Sequence, residues 1–316
     1  MNRTIAEGPL RVNGDELVTV VVGGQIAHPV GAQAPYRIGN DGVARILPGT
    51  GGIVLSHRIG DACIGLAGDH IEPGVAVHNN GREVVGPRNG PNNALLTYAC
   101  VGNVAEITSG RARGARGMVT GKHGGVNHVL IDFPGRALRV LEIGDRVRLV
   151  SRGLGLRLLD FPEITVSNAS PELLARWRVR AQGGRIVAPV THTVPAVAMG
   201  SGLGKNTVWR GDYDIQLFDP EIRRRHRLDQ LRFGDLVAII DADARYGPSV
   251  RTGRTALGVV VHGDSTVSGH GPGVTVLLSG PADHLALYRD DDANIARCFG
   301  VRPLASPRPR RPLGRA

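Results

Sequence analysis

Apolar residues in this chain fall into short blocks, each closed within a few positions by Gly, Pro, Asn or Asp. Blocks of that length, rich in β-branched residues, predict strands. The pattern places them at residues 17–22, 52–55, 129–132, 147–150, 185–190, 236–241, 258–262 and 274–278. Helical spacing is scarce. The best helix spans 170–180, with Ser170 at the N-cap, Pro171 in the first position and Glu172 in the first turn. A second is predicted over 92–107 and a short one after Pro281.

One local pattern recurs. Ile59-Gly60-Asp61, Ile143-Gly144-Asp145 and Phe233-Gly234-Asp235 each set a Gly-Asp pair after an apolar residue and before alternating apolar positions. Aspartate can bond the backbone of its own turn, so these three read as turn-formers rather than catalysts. The repetition suggests related halves. Together the elements predict an α+β, β-rich fold of two barrel- or sandwich-like halves with a few short helices. The expected divisions are 1–167, 168–300 and a basic tail, 301–316, rich in Pro and Arg and expected to be disordered.

Composition agrees, since 45 glycines, 20 prolines and 4% aromatics suit many tight turns and exclude a long-helix bundle. The formal charge of +10 falls to +5 without Arg302, Arg308, Arg310, Arg311 and Arg315 of the tail, so much of it lies outside the expected folded body. A second basic run, Arg223-Arg224-Arg225-His226-Arg227, reads as a solvated surface turn, because the chain has few aromatics for base stacking and no nucleic-acid module. Cys63, Cys100 and Cys298 form no C-x-x-C pair, so neither a disulfide framework nor a cysteine zinc site is expected. The N-terminal residues lack the apolar core of a signal peptide, and no apolar run approaches a membrane span. A cytoplasmic protein without membrane or nucleic-acid partners is expected; the sequence leaves a homo-oligomer open.

Chemistry concentrates in four polar segments. The first is Gly68-Asp69-His70-Ile71-Glu72-Pro73-Gly74. The second runs Gly121-Lys122-His123-Gly124-Gly125-Val126-Asn127-His128, and His128, Leu130 and Asp132 share one face of the strand that follows. The third is Gly200-Ser201-Gly202-Leu203-Gly204-Lys205, followed by Asp212 and Asp214. The fourth carries His262, Asp264 and His270. Imidazole with carboxylate suits a divalent metal, and His128 with Asp132 or His262 with Asp264 are spaced to share it, although H-E-x-x-H is absent. Asp69, His70, Glu72, Lys122, His123, Asp212, Asp214 and His270 are candidates for acid–base and electrostatic work.

Gly200, Ser201, Gly202, Gly204 and Lys205 could cradle an anion on backbone N–H groups, although the spacing matches no known phosphate loop. Lys122 and Lys205 are the only lysines among 38 basic residues, and both sit in glycine-rich polar loops. That placement suggests a task a guanidinium cannot perform, such as losing a proton on burial. The four segments are expected to line one cavity.

These motifs, together with Met199-Gly200-Ser201-Gly202-Leu203-Gly204, Gly211-Asp212-Tyr213-Asp214-Ile215-Gln216 and Gly269-His270-Gly271-Pro272-Gly273, resemble the bacterial and archaeal family defined by domain of unknown function 4438. The resemblance runs from about Leu17 to Leu278 and implies an N-terminal and a C-terminal portion, but no particular reaction. The Gly-Asp turns are also similar to those of formamidase and acetamidase enzymes, at the level of fold alone. The reading reached from the residues is an enzyme acting on a small polar or anionic metabolite. A hydrolase of an amide or related C–N bond, metal-assisted or not, leads. An isomerase or lyase using the same groups for proton transfer, and a non-catalytic small-ligand binding protein, are the alternatives.

Overall fold

Short apolar blocks bury their surface by joining into sheets, and two large sheets form here. A computed structural model describes residues 7–30, 36–81, 90–206 and 208–305. In the first sheet the strands run in the order Val20–Ile26, Arg146–Ser151, Val104–Ile107, Arg116–His123, His128–Asp132, Gly74–His78. All pairings are antiparallel. The last strand returns to the first through Gln25↔His78 and Ile26↔Val77, so these six strands close into a barrel, with Ile53–Val54 added at the free end of Gly74–His78. Alternate residues Val75, Val77, Val129, Ile131, Val147 and Leu149 share one core with Leu95 and Leu96 of the helix Pro91–Tyr98.

The second sheet runs Thr165–Val166, Gly273–Pro281, Ser249–Val260, Leu236–Asp243, His192–Pro195, and the short strand Tyr213–Asp214 pairs with the start of Gly273–Pro281. The intervening positions of the first barrel, Ala76, Met118 and Leu130, pack into a common core with Leu236, Leu257 and Leu277 of this sheet. The fold is therefore β-rich with few helices, as the pattern predicts. The two halves are interleaved: Thr165–Val166 pairs with Ser279 and Leu278, and Gly8–Pro9 pairs with Arg180–Gln182. Among the described residues, no helix is long and apolar enough to cross a membrane.

The three Gly-Asp turns share one geometry. Gly60, Gly144 and Gly234 lie at φ of 92°, 88° and 83°. Asp61, Asp145 and Asp235 each accept a hydrogen bond from the backbone N–H three residues earlier. Two of the three open a strand directly; after Asp61 the chain makes only an isolated bridge through Ala62.

Three expectations are corrected. The helix over 92–107 stops at Tyr98, and its second half becomes the strand Val104–Ile107. Between them Gly102 turns at φ of 95°, where a Cβ would stand 2.6 Å from Ser170 Oγ. The helix over 170–180 is real at its start, where Ser170 Oγ accepts from the Leu173 N–H, but it ends at Arg176 and Arg178 turns left-handed. The tail is not wholly free either. Arg302 makes a two-pronged contact with Asp61 at 3.0 Å on each arm, Ala305 N–H donates to Gly60, and Leu304 joins the main core. The expectation for 306–316 lies outside the described residues.

Candidate functional site

The two sheets bring the four polar segments to one place. A cavity of about 620 Å³ is lined by Asp69 and His70, His123–Val126, Ser201 and Lys205, Asp212 and Asp214, and Thr266, Val267 and His270. Local structure explains how each side chain arrives. His123 ends one barrel strand and His128 begins the next; they pair across a hairpin whose tip uses Gly125 and Asn127 at φ of 78° and 61°. His70 is held at φ of 56°, with its N–H donating to the Asp264 carbonyl. Asp212 and Asp214 bracket Tyr213, so both carboxylates leave the short strand on the same side.

Four imidazoles gather there. Ring centroids of His123 and His262 are 4.1 Å apart, those of His70 and His262 5.0 Å, and those of His70 and His270 5.0 Å. Three of the rings are oriented through Nδ1 by an acceptor behind them. His70 Nδ1 lies 2.9 Å from Asp69 Oδ1, His123 Nδ1 lies 2.6 Å from Glu72 Oε1, and His262 Nδ1 lies 2.9 Å from the Gly263 carbonyl. An Nδ1 held from behind aims Nε2 inward, as in histidines that ligate metals. Burial disfavours charge on His262 and His70, but Asp212 and Asp214 outweigh it at His262, and Asp214 and Asp69 at His70, and raise both rings.

The carboxylates complete two groups. His123, Asp212 and His262 offer ligand atoms within 4.8 Å of one another, and so do His70, Asp214 and His270. In the first, His262 Nε2 stands 2.8 Å from Asp212 Oδ2, yet neither atom has a hydrogen bond of acceptable geometry and both are buried. Room for the pair comes from Gly273, where a Cβ would stand 1.9 Å from Asp212 Oδ2 and 2.2 Å from His262 Nε2.

Electrostatics follow from this crowding. Burial alone would raise the Asp69 carboxyl, but hydrogen bonds from His70 and Ser265 outweigh it and bring it down to about 2. Burial would likewise raise Glu72, which is overridden by His123 and His128 on its two oxygens, so it stays ionised. Burial lowers His123, and the neighbouring His262 lowers it further, which keeps that ring neutral and available as a donor.

Several proposed residues sit elsewhere or work differently. Asp132 is taken by a two-pronged pair with Arg58, at 2.8 and 2.5 Å, and does not share an ion with His128. His128 instead holds Glu72, behind His123. Asp264 accepts from the Gly65 N–H at 2.8 Å, and burial pushes its carboxyl up to about 6; it lies in neither ligand group. Lys122 alternates with His123 along the strand and so points away from the cavity, fully buried, donating to Asn168 Oδ1 at 2.7 Å and the Trp209 carbonyl at 2.5 Å. It is a buried strut, not an oxyanion partner.

The Gly200–Lys205 loop is not an anion cradle. The N–H groups of Gly200, Ser201, Leu203, Gly204 and Lys205 all donate to backbone carbonyls, among them those of Asp214, Gly269 and Pro248. The segment straps the Asp214 strand in place, and Gly202 meets Tyr213 too closely for any side chain. Lys205 does line the cavity. Arg37, which pairs with Asp69 at 2.8 Å, and Ser265 carried no sequence signal, because their partners are remote in the chain. Asn168, at φ of 50°, was legible only as a boundary.

Sequence models of this domain of unknown function match the chain twice, the N-terminal model over residues 36–175 and the C-terminal model over 176–299. The chain belongs to the DUF4438 family. The two models meet at 175/176, eight residues beyond the 167/168 division read from the sequence. Among solved structures the chain is similar to the crystal structure of TM1086, with 40% identity and a TM-score of 0.85, covering 92% of this chain and 99% of that one. No curated protein matches it.

Proposed function

We propose that this member of the DUF4438 family is a metal-dependent hydrolase of a small polar substrate, with amides and related C–N bonds the leading class. The observation that carries the reading is the buried ion pair of His262 Nε2 and Asp212 Oδ2, 2.8 Å apart with neither atom in a well-directed hydrogen bond. Their contact is poorly directed, so part of the cost of burying the two groups is not offset. A divalent cation shared with His123 removes that cost, and imidazole with carboxylate is a donor set that zinc and its neighbours accept.

A cation bound there would acidify a water and polarise a carbonyl oxygen. The protein's own groups do the rest. Asp69, Glu72 and the Gly263 carbonyl hold the Nδ1 atoms of three imidazoles and so fix the orientation of the rings. His270, whose side chain is 35% exposed, opens onto the cavity beside His70 and His123. Lys205, which lines the same cavity, supplies positive charge for a polar or anionic substrate.

Metal content and turnover test this together. Purified protein is stripped with chelator, reconstituted with zinc, manganese or cobalt, and assayed for ammonia or amine release across a panel of linear and cyclic amides. The expected result is at least one tightly held equivalent, with hydrolysis that disappears on stripping and in Asp212→Asn. Protein that retains no divalent metal, or that hydrolyses equally well when stripped, ends the reading.

A further inference from the structure

We infer that the site is dinuclear: a second divalent cation binds at His70, His270 and Asp214, and Asp214 bridges it to the first. This rests on the reading of His123, Asp212 and His262 as a cation site. It adds a separate centre facing the cavity.

The second group has the shape of a ligand set. His70 Nε2 and His270 Nδ1 are 3.0 Å apart, His270 Nδ1 and Asp214 Oδ2 3.2 Å, and His70 Nε2 and Asp214 Oδ2 3.5 Å. Tetrahedral coordination at bond lengths of about 2.0–2.1 Å puts ligand atoms roughly 3.3–3.4 Å from one another. The three sides of this triangle straddle that value, the spacing that a cation above its face requires. His70 is anchored from behind by Asp69, which in turn accepts from Ser265 at 2.6 Å and pairs with Arg37 at 2.8 Å. Three linked groups holding one imidazole is the outer-shell support a metal ligand needs.

Asp214 connects the two groups. Its Oδ2 belongs to this triangle, whereas its Oδ1 points the other way, 3.6 Å from His262 Nε2. A carboxylate that presents one oxygen to each of two adjacent donor sets is the bridging ligand of two-metal hydrolytic sites, whose ions stand about 3.5–4 Å apart. The rings are close enough for this, with His70 and His262 centroids 5.0 Å apart. The two positions differ in access. Every residue of the second group, and of the first only His123 and Asp212, lines the cavity; His262 has no exposed side-chain surface. The second cation is therefore the one that meets the substrate oxygen and exchanges more readily.

Titrating stripped protein with Mn2+, with stoichiometry from elemental analysis and the spin state from EPR, distinguishes the outcomes. Two equivalents per chain with an exchange-coupled spectrum are expected. In His270→Ala the second equivalent should be lost while the first remains, with the melting temperature of the stripped protein unchanged as the control on folding. One equivalent in the unaltered protein, two with isolated spectra, or two retained in His270→Ala would overturn the bridged dinuclear centre and leave the hydrolase reading standing. No bound metal overturns both.

Discussion

At the scale of single residues, burial decides what a side chain can do. Lys122 is fully buried, and burial pulls its ammonium down to about 8 from 10.5. Two carbonyl acceptors match the two hydrogens of a neutral amine. The folded protein thus releases a proton that the unfolded chain keeps until pH 10.5. Because the unfolded state binds more protons across that window, stability should rise between pH 8 and pH 10.5, by up to about 3 kcal/mol at about 1.4 kcal/mol per unit. Denaturant titrations of the unaltered protein and of Lys122→Met measure it; equal pH slopes for the two would refute the assignment. Gly273 makes a second case. Its backbone tolerates alanine, but the added methyl would overlap Asp212 Oδ2 and His262 Nε2. Gly273→Ala should weaken metal binding by at least about 10- to 100-fold, the scale seen when the support of a ligand is disturbed. Calorimetric titration with Zn2+ checks this.

At the scale of elements, the positions most plainly written are those where one residue type has one use. Ser170 with Pro171 marks a helix start, and the Gly-Asp turns repeat their bond three times. Strands were harder where they carry or adjoin polar residues. Arg116–His123 holds Lys122 and His123, and Gly74–His78 follows a polar turn, so neither looks like an apolar block. Their pairing with other strands, not their own pattern, makes them strands. The last described residues behave the same way. Arg302 and Leu304 lie in a proline-rich, basic stretch, yet Asp61 and the main core hold them. Ending the chain after Gly300 should therefore cost about 1–2 kcal/mol and lower the melting temperature by roughly 1.5–3 °C. Calorimetry against the full chain decides it, and an unchanged transition would show that these contacts contribute nothing.

At the scale of the whole molecule, the candidate site belongs to neither half. Glu72, His123 and His128 come from the closed barrel, and Asp212, Asp214, His262 and His270 come from the second sheet and its loops. A cation bound between them ties the halves together. Binding to the native state alone adds about 2.7 kcal/mol when free metal is 100-fold above its dissociation constant. Chelator should then lower the melting temperature, and added Zn2+ should restore it. The same experiment on His262→Ala should show a much smaller shift.

Composition and local chemistry alone determined that this chain is β-rich with few helices, where its Gly-Asp turns fall and where His, Asp and Gly crowd together, because turn formation and strand propensity act over a few residues. The polar segments were legible as a set for the same reason: His, Asp and Gly crowd where strands end. Their division of labour was not. His262 pairs with Asp212 rather than Asp264, Asp132 goes to Arg58, and Lys122 turns inward although its neighbour His123 faces the cavity. Those assignments depend on which strand edges meet and on which face of a strand each residue falls. Such contacts join residues about 50 to 200 positions apart, and only the closed barrel packed on the second sheet decides them.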